Sequence, residues 1–178
     1  MLLHAGLISF FVNSKRLHNA RTDNLINLFP CVILLVKLLT SFDITNLCSK
    51  YNIKINGIYC RDEIPATLQT GWYILNLDRS TGGGTHWCCW YYGATLSFYF
   101  DSFGFSPTKD LETKLGNYRM NEKKIQSLNS DSCGWFCLMC IKYCEDRGNT
   151  SESFNKLLSL FTNQANSNER ILEHFCHK

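Results

Sequence analysis

The order of apolar and polar positions divides the chain into two unlike parts. Residues 2–12 and 25–39 are apolar stretches that share no pattern with the remainder of the chain. The first has His4 but no cationic start and no small-residue cleavage site. The second is interrupted by Pro30 and Lys37 and falls short of the roughly 20 residues that cross a bilayer. Both read as buried or interfacial helix, with no stable membrane partner expected. From about Thr40 the pattern becomes that of a folded domain. Asp43 is placed to start a helix running through Leu47 and Tyr51. Residues 71–77, rich in aromatic and β-branched side chains, predict a strand, and residues 86–92 and 96–100 predict two more around a Gly93-Ala94 turn. Residues 110–115 read as a short helix and 124–128 as a short extended segment. Residues 133–143 are apolar at almost every position and follow the polar Ser130-Asp131-Ser132, which predicts a buried helix starting at Cys133. Residues 153–161 and 169–175 predict two closing helices, with Leu157, Leu158, Phe161 and Leu172 facing inward to pack. Strands and helices in this order predict an α+β fold. The division is an apolar extension at 1–39 and one domain at 40–178.

Composition narrows the classes. A chain of 178 residues with 45% hydrophobic content is long enough for a conventional core. The net charge of +3 is spread without a basic run or periodic stripe, so nothing favours nucleic acid as a partner. Ten cysteines lack the pair spacing of a disulfide scaffold, which points to an intracellular reducing compartment such as cytoplasm or nucleus rather than secretion. The Asn149-Thr150-Ser151 sequon matters only in a secreted chain.

The chemistry lies in an ordered set: Gly84-Thr85-His86-Trp87, Asp101, Gln126 and Cys133-Gly134. A cysteine-nucleophile site needs a thiolate, a base to make it, a group to orient the base, and donors for the oxyanion formed when a carbonyl is attacked. Cys133 at a helix amino terminus suits the first role, because that end carries partial positive charge. His86 suits the second, and the predicted hairpin brings residue 101 opposite residues near 87, within reach of it. Asp101 would then hold the His86 tautomer with the second nitrogen toward Cys133. Gln126 and the backbone N–H of Cys133 supply the oxyanion donors. Gly84 belongs to a glycine run that permits an adaptable rim, Trp87 caps the imidazole or walls the cleft, and Gly134 lets substrate backbone approach the sulfur. Each residue alone has a plainer reading, as a core cysteine, a core histidine, a turn aspartate or a core tryptophan. No metal site is expected: Cys133, Cys137, Cys140 and Cys144 are strung along one helix, and Cys88 and Cys89 point to opposite faces of a strand. No cofactor is expected either.

These motifs resemble the adenovirus-type (adenain-like) cysteine proteases, within the clan that includes the SUMO-specific proteases. Gly83-Gly84-Thr85-His86-Trp87 resembles the family's glycine-rich His-Trp segment, and the run from Tyr99 through Asp101 to Ser106 resembles its acidic residue followed by Phe-Gly-Phe-Ser. Six residues separate Gln126 from Cys133, as in the adenovirus type and one more than is usual in SUMO proteases. The segment from Ser41 is also similar to proteases of Maverick or Polinton elements. The resemblance covers about residues 41–146 and implies a papain-like core: a central, mostly antiparallel sheet flanked by helices, with the nucleophile at a helix amino terminus. It implies catalytic His86, Asp101 and Cys133, with Gln126 at the oxyanion. Adenoviral enzymes carry glutamate where Asp101 stands, whereas the wider clan uses aspartate.

The implied activity is a monomeric thiol endopeptidase that cuts polypeptides beside small residues such as glycine and processes viral or mobile-element capsid or polyprotein precursors. An isopeptidase acting on SUMO or ubiquitin-like modifiers is the alternative enzyme. A catalytically silent binding module of the same fold is the alternative of another class. An activating peptide or DNA is implied by family analogy alone.

Overall fold

The computed structural model describes residues 38–176, with side chains through residue 172. The apolar stretch at 2–12, and all of 25–39 except Leu38 and Leu39, lie outside the described residues. Five strands form one sheet in sequential order: β1 (Gly57–Cys60), β2 (Gly71–Asn76), β3 (Trp87–Tyr92), β4 (Ser97–Phe100) and β5 (Tyr118–Met120). Five helices accompany it: α1 (Ser41–Lys50), α2 (Lys109–Leu115), α3 (Cys133–Glu145), α4 (Ser151–Leu160) and α5 (Ala165–Cys176). The architecture is the expected α+β type, with a central sheet flanked by helices. The β2–β3 and β3–β4 pairs at its centre are antiparallel, while β1 and β5 join the edges in parallel. These two short edge strands are absent from the sequence expectation. The segment expected to be extended at 124–128 instead runs as loop.

Period-two alternation sorts the strand side chains onto two faces. Trp72, Ile74, Cys89, Phe98 and Phe100 pack with α1, α3, α4 and Leu172 of α5. Tyr73, Leu75, Cys88, Trp90 and Tyr99 pack on the other face with Leu111 and Leu115 of α2. Helix α3 is apolar all round and accordingly lies inside, with Lys142 alone between Cys133 and Cys144 not buried. Cys137, Cys140 and Cys144 are fully buried core side chains. Burial pushes the Cys137 and Cys140 thiols well above their ordinary range, which keeps them neutral.

Helix α1 begins with a capping box. The Thr40 hydroxyl accepts from Asp43 N at 3.1 Å, and the Asp43 carboxylate accepts from Thr40 N at 3.0 Å. Thr150 and Ser153 make the corresponding pair at the start of α4. Between α3 and α4, Asn149 adopts φ 53° and turns the chain in the left-handed region that asparagine tolerates. Its Oδ1 accepts from the buried Trp72 indole at 2.7 Å, pinning this turn to the sheet. Among the described residues no helix is long and apolar enough to cross a membrane.

Replacing Asn149 by alanine leaves the Trp72 N–H buried without its acceptor and places a poorly suited residue at positive φ. The expected destabilisation is about 2–3 kcal/mol, read from urea unfolding monitored by tryptophan fluorescence.

Candidate active site

The β3–β4 hairpin brings two of the four expected groups together. Its register pairs Cys89 with Phe100 and, extended by one step, sets Asp101 against Cys88. His86 lies just ahead of β3 and Asp101 just past β4, so both side chains leave the end of the same hairpin. His86 Nε2 and Asp101 Oδ1 are 3.0 Å apart. Asp101 has no solvent exposure and His86 is 8% exposed. The carboxylate is held through one oxygen: Oδ1 also accepts from Phe103 N at 2.7 Å, Oδ2 has no hydrogen-bond partner among the described residues, and the buried Asn121 side chain brackets the Asp101 main chain. Asn121 accepts from Asp101 N at 3.0 Å and donates to Asp101 O at 2.6 Å.

Cys133 comes from a different layer, at the first position of α3. Its sulfur accepts from the backbone N–H of Trp87 at 3.4 Å, which places it beside the residue that succeeds His86. With Nε2 turned to Asp101, the ring presents Nδ1 as its remaining nitrogen. Nδ1 makes no hydrogen bond of standard length among the described residues, yet the Cys133 thiol lies close enough to raise the imidazole pKa. Burial of the ring works in the opposite sense and favours the neutral form. The hydrogen bond to Asp101, the neighbouring Cys133 and the Asp101 charge outweigh it, and the pKa is raised from 6.5 to about 9. The raised pKa favours the imidazolium form of His86, close to a cysteine at a helix amino terminus.

Gln126 sits in the loop between β5 and α3 and is buried. Its Oε1 accepts from Ser102 Oγ at 2.6 Å, and its Nε2 donates to Ser130 O. Ser102 comes directly after Asp101, and its carbonyl accepts from Ile125 N and Gln126 N, both at 2.8 Å. The Gln126 loop is thus tied to the same turn that carries Asp101. The amide nitrogen has two hydrogens, and Ser130 O takes one of them.

The three residues expected to line a cleft have separate places. Trp87 and Gly84 both line a cavity of about 320 Å³ between the start of the domain and β1. Gly84 has φ +83°, a conformation that favours glycine. Gly134 is not open to that cavity. A Cβ there would lie 3.1 Å from Leu39 Cδ1 and 3.4 Å from Trp87 Cδ1, so its lack of a side chain lets α3 approach Leu39 and the indole. Trp87 does not stack on the imidazole. Its Nε1 donates to Leu39 O at 2.8 Å, and the ring that stacks on His86 is Phe103, with centroids 4.7 Å apart.

Asn121 and Leu39 carry no sequence signal of their own, and Ser102 and Phe103 are marked only by their place in the run that follows Asp101. The Phe-Gly run after Asp101 is the one hint for Phe103, since a ring two residues beyond a strand-end aspartate can fold back over its partner. Among the described residues, no group of three or more His, Cys, Asp or Glu side chains is arranged to hold a metal ion.

No protein-family model matches the sequence, and no curated protein matches it. Among solved structures, the chain is similar to the ASFV pS273R protease, with a TM-score of 0.50 and 17% sequence identity over 80% of this chain and 69% of that chain. The shared feature is the fold: a mixed α+β domain with its helices around a central sheet.

A raised histidine pKa gives a stability dependence of definite sign. The folded value of about 9 lies above the unfolded value near 6.5, so His86 stabilises fully below about pH 6.5 and loses that contribution as pH rises through about 9. The stability difference between wild type and His86→Gln is expected to shrink across that window by an amount on the order of 3 kcal/mol. Urea unfolding at pH 6, 8 and 10 measures it, and a difference independent of pH contradicts the pairing.

Proposed function

We propose that this protein is a cysteine-type endopeptidase. The observation that carries the reading is geometric: His86 Nε2 is 3.0 Å from the buried Asp101 Oδ1, and the Cys133 sulfur at the start of α3 accepts from the N–H of Trp87, the residue after His86. The similarity to a solved protease supports it at the level of fold. The finer assignment, an adenovirus-type or mobile-element protease that cuts capsid or polyprotein precursors near small residues, rests on the His86-Trp87, Asp101 to Ser106 and Gln126 to Cys133 motifs. The eight cysteines whose side chains are described are free thiols, which favours a reducing compartment.

In this reading the Cys133 thiolate attacks the carbonyl carbon of the scissile peptide, and the carbonyl π electrons move to oxygen. The oxyanion is bound by the Cys133 N–H and by the remaining Gln126 Nε2 hydrogen. Collapse of the tetrahedral intermediate breaks the C–N bond, and the leaving amine takes the proton from His86. The neutral imidazole then accepts a proton from water, which attacks the thioester and releases the acid. Expulsion of the sulfur restores the thiolate and imidazolium pair. Asp101 keeps Nε2 occupied throughout, so that Nδ1 carries each transfer.

The test compares wild type with Cys133→Ala on a peptide containing Gly-Gly, with SUMO and ubiquitin carboxy-terminal reporters alongside. Wild type is expected to cleave the peptide and to react rapidly with an electrophilic thiol probe at neutral pH, and Cys133→Ala to leave the peptide intact and to label more slowly through its remaining thiols. Preference for a modifier reporter would reassign the protein as an isopeptidase, and equal labelling of wild type and mutant would sink the enzymatic reading. Asp101→Asn is expected to lower kcat by about 10- to 100-fold, and Gln126→Ala by about 100- to 1000-fold, with little change in KM.

A further inference from the structure

Helix α5 lies beyond the motif-bearing region, and its inward apolar residues account for packing alone. Two polar residues of its first turns do something else. Asn168 is fully buried and donates through Nδ2 to Ile125 O at 3.0 Å and to Thr162 O at 2.9 Å, while its Oδ1 accepts from Thr162 N at 2.9 Å. Glu169 divides its carboxylate between two residues of the loop before α3. Oε1 accepts from Ser127 N at 3.1 Å and Oε2 accepts from Ser132 Oγ at 2.7 Å. Both anchors fall on the stretch that runs from Gln126 to Cys133.

The Ser132 contact has a specific chemical effect. Ser132 is the N-cap residue of α3, a place where serine ordinarily turns its oxygen back to accept from the first amides of the helix. Here it makes no such bond. Its hydrogen is given to Glu169, and its oxygen is beside Ser130 Oγ, which also accepts from Ser132 N at 3.2 Å. With Ser132 Oγ donating to the carboxylate, the Ser130 hydroxyl must donate to Ser132. The chain of bonds continues from Ser130 O to Gln126 Nε2 and from Gln126 Oε1 to Ser102, next to Asp101. One carboxylate on α5 therefore draws the N-cap hydroxyl away from the helix end and sets the serine that aims Gln126.

We propose that Glu169, supported by Asn168, is a positioning residue for the oxyanion site: it keeps the Ser132 hydroxyl from capping α3 and holds the Gln126 amide beside the helix start. This rests on the protease reading. Loss of the carboxylate frees Ser132 to cap the helix and loosens Ser130, so acyl transfer suffers while the thiol itself stays intact. Removing a negative charge near a helix amino terminus does not make a thiolate harder to form, so alkylation, which develops no oxyanion, is the internal control.

The experiment uses the full chain and four variants, Glu169→Ala, Glu169→Gln, Ser132→Ala and the Glu169→Ala, Ser132→Ala pair. Cys133-dependent peptide cleavage, iodoacetamide alkylation of Cys133 and the melting temperature are measured for each. Glu169→Ala is expected to lower kcat by about 10- to 100-fold with KM near the wild-type value and no fall in the alkylation rate. Glu169→Gln, which retains one acceptor, is expected to lose less, and the double variant no more than Glu169→Ala alone. An unchanged kcat in Glu169→Ala, additive losses in the double variant, or kcat and alkylation falling together with the melting temperature would each overturn the positioning role and leave the protease reading standing. Cleavage by wild type no faster than by Cys133→Ala would overturn both.

Discussion

A carboxylate without solvent access sets the terms for this structure. A buried charge is tolerable only with hydrogen bonds and an opposite charge beside it, and Asp101 receives Phe103 N, His86 Nε2 and an asparagine bracket on its main chain. The hairpin end must close so that His86 and Asp101 meet, and the turn after Asp101 must fold back to supply Phe103 N. Phe103 then covers the imidazole with its ring. The raised pKa of His86 is the electrostatic counterpart of this arrangement, since Asp101 and Cys133 together overcome the burial that would otherwise keep the ring neutral.

The second half of the site is a joint between layers. Helix α3 presents Cys133 from the core side of the sheet, and the sulfur meets the Trp87 amide. Close approach depends on Gly134, whose missing side chain gives Leu39 and Trp87 their space, while the indole ties Leu39 O into the same corner. The loop leading into α3 is held from two sides, by Ser102 of the turn after β4 and by Asn168 and Glu169 of α5. Elements far apart in the chain thus set the distance between hairpin and helix. A polar network of this kind is rigid only when its members are paired, and most of its buried atoms are.

Much of this is legible in residue order. Strand alternation locates β2, β3 and β4, and the run of residues 133–143, apolar at almost every position, announces a buried helix with Cys133 at its start. The turn at Gly93 puts Asp101 within about a residue of its observed register. The edge strands are not legible, because Gly57–Cys60 and Tyr118–Met120 are three or four residues long and acquire strand geometry by joining a neighbour that is already in place. Residue order does not show that Leu39 packs where a side chain at Gly134 would stand, nor that the Trp87 indole is bonded to Leu39 O, contacts between residues far apart in the chain.

By itself the sequence determined the chemical inventory and the local frames that carry it: a cysteine at a helix start, a histidine and an aspartate at one hairpin end, a glutamine with six residues between it and the cysteine. These arise from short-range rules of periodicity, turns and caps, which act over a few residues. Only the tertiary structure decided which nitrogen of His86 faces Asp101, that Phe103 and not Trp87 covers the ring, and that Ser132 points to Glu169 instead of capping its own helix. Such choices turn on which long-range partner satisfies a buried polar group or fills a gap, and that is settled only when the sheet, α3 and α5 are packed together.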